Sequence, residues 1–318
     1  LSALNNPNRY NSPGNSGYME HCFGGPWTKQ KLTILEKYLK AYISIFEGNE
    51  RAKKLRRVYV DGFAGTGNIF KKQENADQLS FSHVCEFEEF ETDFIPGSAK
   101  IALELDPGFH RYYFVDSNRK HVQNLDQLVQ SYPGKKVDIV HSDCNTWLQK
   151  WCKSNNWYGE RAVVFLDPYG MQVEWSTLEA IAETQSIDLW LLFPLGQAVN
   201  RLLPENKEPP EHWAKALDRV LGTPKWRQEF YSKTTEPNLF NFQDEKTMKC
   251  VSIEDIGYFF VNRLKEIFVG VAEEPMFLYN SSNCPIFLLC FAASNKVGAK
   301  PAVSIAQSII RKEFTDGR

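Results

Sequence analysis

Val58-Tyr59-Val60-Asp61-Gly62-Phe63-Ala64-Gly65-Thr66-Gly67 sets the architecture expected of this 318-residue chain. A β-branched and aromatic run ends in an acid, and three glycines follow within six positions. The first kind of residue fills a buried strand. The second lets backbone N–H groups in a turn approach a ligand closely. Together they predict the first βα corner of a doubly wound α/β domain, where such folds bind nucleotide-like ligands. The glycine order is not the dinucleotide one and no Gly-Lys-Ser/Thr follows, so a phosphate cradle with its lysine is not expected. A turn that needs glycine only for sheet-to-helix packing is the alternative.

Further along, three more predicted strands close on acids. Tyr112-Tyr113-Phe114-Val115-Asp116 is the second strand. Its terminal carboxylate can accept both hydroxyls of a ribose, or else cap the helix from Ser117 to Gln130. Val137-Asp138-Ile139-Val140-His141-Ser142-Asp143-Cys144-Asn145 is the third, and Asp143 suits an adenine amino group. Arg161-Ala162-Val163-Val164-Phe165-Leu166-Asp167-Pro168-Tyr169-Gly170 contains the fourth, an apolar run suited to the centre of a parallel sheet. Pairing stops at Pro168. The loop beyond offers a carboxylate, a carbonyl and an aromatic face together, the parts needed to hold a planar amine. Ile187 to Pro194 is a fifth strand, and the segments from Pro275 and Pro285 form an antiparallel hairpin at the sheet edge. Asp61, Asp116, Asp143 and Asp167 are thus expected along one rim of the sheet.

Residues 1–26, rich in Asn, Pro, Gly and Ser, read as an arm. Leu32, Leu35, Tyr38, Leu39, Tyr42 and Phe46 then fall at helical spacing, with Thr28 as the N-cap. Lys29 and Lys31 in the first turn oppose the helix dipole, and are either solvated or turned towards an anion. Residues 68–95 form an insertion with an acidic-aromatic run from Glu86 to Glu91, either a lid or substrate wall or a solvated excursion. Gly97-Ser98 begins the next helix. Residues 200–246 interleave Trp213, Trp226, Phe230, Tyr231, Phe240 and Phe242 with lysines and arginines. Such a mixture can track a phosphodiester backbone and stack bases, but acids among it leave an ordinary helical insertion equally open. Amphipathic helices are expected at 256–268 and 302–314.

Hydrophobic content of 42% and charged content of 24% are ordinary globular values, and a net charge of -2 carries no whole-chain sign of nucleic-acid binding. The seven cysteines lack C-x-x-C spacing, which argues against a zinc site or a disulfide scaffold. No apolar run approaches the roughly 20 residues of a membrane span. The expectation is a soluble, cytoplasmic protein with no membrane association and no metal.

Five parallel strands followed by a terminal hairpin are the arrangement of S-adenosylmethionine-dependent methyltransferases. The chain resembles one group within that superfamily, the three-Cys-motif partner family (TcmP), over nearly its whole length. The matching stretches are Pro26-Trp27-Thr28-x-x-Lys31-Leu32, Asp61-Gly62-Phe63-Ala64-Gly65-x-Gly67, Gly97-Ser98, Phe165-Leu166-Asp167-Pro168-Tyr169-Gly170, Leu192-Phe193-Pro194 and Ala292-Ala293-Ser294-Asn295. The resemblance implies a Rossmann-like class I methyltransferase fold, a mostly parallel seven-stranded sheet with a terminal antiparallel hairpin and a helical insertion. Residues 1–57 would form an arm and helix, 58–199 the cofactor-binding core, 200–246 the insertion, and 247–318 the helix, hairpin and helix that complete the core.

The resemblance also implies S-adenosyl-L-methionine as cofactor. The residues implied to hold it are Trp27, Thr28, Lys31, Asp61, Gly62, Phe63, Ala64, Gly65, Gly67, Ser98, Asp116, Ser117, Asp143 and Cys144. Asp167-Pro168-Tyr169-Gly170 looks like the Asp/Asn-Pro-Pro-aromatic tetrad of amino-methyltransferases acting on nucleic-acid bases. There the acid and the first proline's carbonyl hold the exocyclic amine. Here Tyr169 replaces the second proline and Gly170 takes the aromatic position. The stacking ring is then Tyr169 or Trp175, or the substrate is not a base. The expected reaction is N-methylation of a nucleic-acid base in DNA or RNA, with adenine N6 favoured. The alternatives are a cofactor-binding protein acting with a three-Cys-motif partner, and a methyltransferase for proteins or small molecules.

Overall fold

The computed structural model describes residues 26–66, 68–69, 95–237 and 243–316. Gly67, most of the 68–95 insertion, Phe240 and Phe242 lie outside the described residues. In chain order the elements begin with α1 (Pro26–Gly48), β1 (Arg56–Asp61), the short β2 (Asn68–Ile69) and β3 (Ile95–Pro96), α2 (Ser98–Glu104) and β4 (Arg111–Asp116). Next come α3 (Arg119–Gln130), β5 (Val137–His141), α4 (Cys144–Ser154), β6 (Glu160–Leu166), α5 (Trp175–Glu183) and β7 (Ile187–Phe193). After these follow α6 (Glu211–Leu221), α7 (Trp226–Phe230), β8 (Tyr231–Pro237), β9 (Gln243–Lys249) and α8 (Ile253–Ile267). The last elements are β10 (Gly270–Val271), β11 (Met276–Tyr279), β12 (Pro285–Ala293) and α9 (Ala299–Asp316).

The main sheet runs β10-β12-β7-β6-β1-β4-β5, and β11 also pairs with β12. The strands β5, β4, β1, β6 and β7 are mutually parallel, while β12 runs antiparallel to β7. This is the Rossmann-like mostly parallel sheet with its terminal antiparallel hairpin. The strand before β12 is broken into β10 and β11, so the sheet has eight strands where seven were expected. The chain leaves β1 towards β4 and later returns to β6 on its other side. That reversal opens a crevice beyond the carboxyl ends of β1 and β6, where Asp61 and Asp167 lie.

Both faces of the sheet are covered, which is why the central strands read as continuous apolar runs. One core joins α4, α5, α6 and α8 to one face, and the other joins α1, α2 and α9 to the opposite face. Among the described residues no helix is long and apolar enough to cross a membrane.

Three sequence expectations need correction. Helix α1 starts at Pro26, so Thr28 lies inside its first turn and is not its N-cap; proline is well suited to a first turn, where its missing N–H costs nothing. The third strand ends at His141, because Asp143 turns the chain by capping α4. The 200–246 segment holds a two-stranded antiparallel hairpin, β8 with β9, as well as helices. Within it Trp226, Phe230 and Tyr231 are buried in the core, and Arg227 is bound to Asp218, so these aromatics do not present faces to a base.

Helix α1 lies against β12 and β7 and reaches the start of β1. At its start Trp27 packs on Phe287, with ring centroids 4.9 Å apart. At its middle the Tyr38 ring lies 5.3 Å from Trp190 and 4.9 Å from Phe291, and the Tyr38 hydroxyl donates to Asp188 Oδ2 at 2.7 Å. At its end Glu47 pairs with Arg57 at 2.6 Å.

Burial pushes the Asp188 carboxyl up to about 7, against the hydrogen bond from Tyr38 and the charge of Arg161. Between the ordinary aspartate range and pH 7 the folded state therefore holds a proton that the unfolded state has lost. Stability contributed by this group is present at low pH and falls as pH rises through that window. Asp188→Asn is expected to flatten that decline by on the order of a few kcal/mol between about pH 4 and 8. Denaturant unfolding across pH measures it, and a variant slope equal to wild type would refute it.

Candidate active site

The Gly-rich corner differs from a ligand cradle in where its N–H groups go. Gly62 N donates to Phe165 O at 3.0 Å and Ala64 N to Val115 O at 3.1 Å, which ties the corner to the ends of β6 and β4. Phe63 N donates to Asp61 Oδ1 at 3.3 Å and Gly65 N to Asp116 Oδ2 at 3.0 Å. Four successive donors are thus spent inside the protein. Gly65 needs its glycine for a φ of +57°. Gly62 needs its own for space, since a Cβ there would lie 2.4 Å from Leu166 Cδ2 and 2.7 Å from Cys144 Sγ. The packing role of these glycines is real, whatever else they serve.

Asp61, at the end of β1, is fully buried; besides Phe63 N it meets the Tyr59 hydroxyl at 3.4 Å and the hydroxyl of Ser98 at the start of α2. Burial pushes its carboxyl up to about 7, and the charges of Asp167 and Asp116 add to the rise against the Ser98 and Phe63 hydrogen bonds. Asp116 accepts Asn118 N at 2.7 Å on Oδ1, and on Oδ2 both Gly65 N and His121 Nδ1, the latter at 3.1 Å. A carboxylate offers about four acceptor sites. Three donors are met by Asp116 among the described residues.

Asp143 is exposed and caps α4, receiving both Thr146 N and Thr146 Oγ1 on Oδ1 at 2.9 Å. Cys144 follows it with a buried thiol turned under Gly62. Burial first, then the carboxylates of Asp143, Asp61 and Asp116, push that thiol well above its ordinary range. Cys144 therefore serves the packing of the corner, and its sulfur is not open to a ligand. Ser117 is exposed beside Asp116, with its carbonyl 3.0 Å from His141 Nε2.

The fourth acid meets a cation. Asp167 follows β6 directly and forms an ion pair with Lys31, whose side chain is 7% exposed against 25% for Asp167. Lys31 Nζ also lies over the Trp27 ring at 4.9 Å. One turn back, Thr28 Oγ1 is buried with no hydrogen-bond partner among the described residues. Of the two lysines near the start of α1, Lys29 is exposed and Lys31, in the second turn, is turned towards an anion.

The loop after Asp167 keeps Pro168 buried and leaves Tyr169 53% exposed. Gly170 turns the chain with a φ of +67°. Tyr169 N donates to Gln172 Oε1 at 3.0 Å. Asn145, in α4, braces the loop further on: its Nδ2 donates to Gln172 O at 2.8 Å, and its Oδ1 accepts Glu174 N at 3.0 Å and Thr177 Oγ1 at 2.8 Å. Asn145, Gln172 and His121 were not singled out in the sequence. Asn145 had a signal, a polar residue in phase with Leu148 and Cys152 on the apolar stripe of its helix. Trp175 is not a stacking platform, because it is buried against Gly222 and Phe260 with Arg263 4.6 Å from its ring centroid.

The geometry defines a Rossmann-like α/β protein with a carboxylate-lined rim at its strand ends and one lysine closing on it. No family model and no curated protein matches the chain. Solved structures do resemble it in backbone path. Protein LPL1258 from Legionella pneumophila shares 13% identity at a TM-score of 0.47, covering 89% of this chain and 91% of its own. A S-adenosylmethionine-dependent methyltransferase from Clostridium acetobutylicum shares 12% at 0.35, covering 82% and 92%. A rRNA methylase from Streptococcus thermophilus shares 9% at 0.29, covering 70% and 95%. At these values the likenesses assign no activity.

The crowded corner yields a direct test. Gly62→Ala is expected to lower unfolding stability by about 1–3 kcal/mol through overpacking, and Cys144→Ala in the same background to recover part of it. Thermal and denaturant unfolding measure both. A neutral Gly62→Ala would remove the packing role.

Proposed function

We propose that this chain is an S-adenosylmethionine-dependent methyltransferase that modifies an amino group, and that it belongs with the three-Cys-motif partner proteins it resembles. The observation that carries the reading is the convergence of Asp116 and Asp167 on Asp61, whose carboxyl feels both charges, with Asp143 at the start of α4. When bound, S-adenosylmethionine supplies a methyl group already activated on a sulfonium sulfur. Positioning is then the main task left to the protein.

The residues present fit such a ligand. Asp116 keeps capacity for a ribose hydroxyl, and the caps on Asp143 both run to Oδ1, which leaves Oδ2 for an adenine amino group. The buried Thr28 hydroxyl, unpartnered among the described residues, and Lys31 suit the carboxylate of the methionine moiety. Asp61 and Ser98 shape the corner around it, with Asp61 acting from beneath and not by contact. Asp167 and the carbonyl of Pro168 would accept the hydrogens of the acceptor amine.

A nucleic-acid base, with adenine N6 favoured, is supported by the exposed Tyr169 ring next to Asp167, since aromatic faces at such sites stack on extruded bases. The basic-aromatic segment at 200–246 lends less than its sequence suggested, with three of its aromatics inside the core. Tritium transfer from methyl-labelled cofactor to DNA, RNA and protein pools, alone and with a three-Cys-motif protein, tests the reading. Transfer to nucleic acid that Asp167→Ala reduces by roughly a hundredfold or more would support it. Transfer only to protein would replace the substrate class, and an undiminished variant would remove Asp167 from the chemistry.

A further inference from the structure

On the methyltransferase reading, we propose that Lys31 is shared between two anions: it holds Asp167 before cofactor arrives and is drawn from it by the carboxylate of the cofactor's methionine moiety. Lys31 is thereby a positioning residue that couples cofactor binding to the freeing of Asp167 for the acceptor amine.

The charge balance at the start of α1 carries this. Its first turn contains no acidic residue, although the positive end of a 23-residue helix favours one there. A buried lysine adds a full positive charge one turn further on. Among the described residues the carboxylate paired with it is Asp167, directly after β6. Thr28 and Lys31 are three residues apart and so share a helix face. The Thr28 hydroxyl on that face is buried and has no hydrogen-bond partner among the described residues.

A second anion would complete this end. An ammonium has three donors, so it can meet two carboxylates, but each then shares its charge with the other. Trp27 fixes where the ammonium can go, because its ring sits on Phe287 and under Lys31 Nζ. A second anion beside Thr28 would divide the charge that Lys31 now gives to Asp167. An acceptor amine would find Asp167 open only after the cofactor is seated, giving an ordered sequence with cofactor first.

The test uses binding, not turnover. S-adenosylhomocysteine carries the carboxylate and methylthioadenosine lacks it, and isothermal titration gives the affinity of the full chain for each. Asp167→Asn is expected to tighten S-adenosylhomocysteine by about three- to tenfold, by releasing Lys31, and to leave methylthioadenosine unchanged. Lys31→Met is expected to weaken S-adenosylhomocysteine by roughly tenfold or more, with Lys31→Arg recovering most of the loss. In the Lys31→Met background the gain from Asp167→Asn should vanish, an outcome that a general loss of negative charge would not produce. Lys31→Gln replaces Lys31→Met if the latter does not fold.

An unchanged or weakened Asp167→Asn, or an equal gain without Lys31, overturns the sharing while leaving the cofactor reading intact. A wild-type protein that binds neither ligand overturns the cofactor reading itself.

Discussion

Lys31 reaches Asp167 because α1 is pinned to the sheet at three levels. Trp27 on Phe287 sets its start, Tyr38 between Trp190, Phe291 and Asp188 sets its middle, and Glu47 on Arg57 sets its end. A helix held over that length has no freedom to slide, so the depth of Lys31 follows from packing on apolar strands far from the rim. A buried ammonium costs several kcal/mol unless an anion meets it. The anion is Asp167, which the parallel pairing of β1 with β6 carries to the same rim as Asp61.

That rim gathers more negative charge than its cation neutralises, and the fold tolerates this by spending backbone donors on it. The corner at Gly62–Gly65 sends two N–H groups to carboxylates and two to the carbonyls of adjoining strands. The corner's backbone thus acts as an internal bracket for Asp61 and Asp116, through Phe63 N and Gly65 N, a different use from the phosphate cradle that glycine-rich turns often make. Asp61, with no exposure, tends towards its neutral form near pH 7, which lowers the repulsion it exerts on Asp167 and Asp116. The carboxylates nearer the surface are then the ones left to meet a ligand.

What the sequence made legible was whatever depends on local pattern. Apolar runs such as Val163 to Leu166 and Leu189 to Phe193 announced central parallel strands, and the acids after them marked their carboxyl ends. What stayed illegible depends on partners distant in the chain. The Gly62 site is crowded by Leu166 and Cys144, over eighty residues away. Trp226 and Phe230 looked like recognition aromatics because a large ring beside basic residues has the same composition in a core as on a surface. Burial alone separates the two, and it is a property of the fold. Asp143 was placed on a strand because its apolar neighbours continue the pattern, whereas the carboxylate itself ends the strand by capping α4.

The departure of Asp167-Pro168-Tyr169-Gly170 from a tetrad with two prolines is compensated elsewhere in the chain. A second proline would restrict φ and remove a backbone donor. Tyr169 keeps its N–H, and that donor is fixed by Gln172 Oε1 at 3.0 Å. Gln172 is fixed in turn through its carbonyl by Asn145, which also holds Glu174 N. Rigidity that a ring would supply covalently is supplied here by side-chain amides, one of them buried in the first turn of α4. Because Asp143 caps that same turn, the loop beside Asp167 and the Asp143 carboxylate are built on a single helix start. The two ends of the site therefore keep their separation without contact between them.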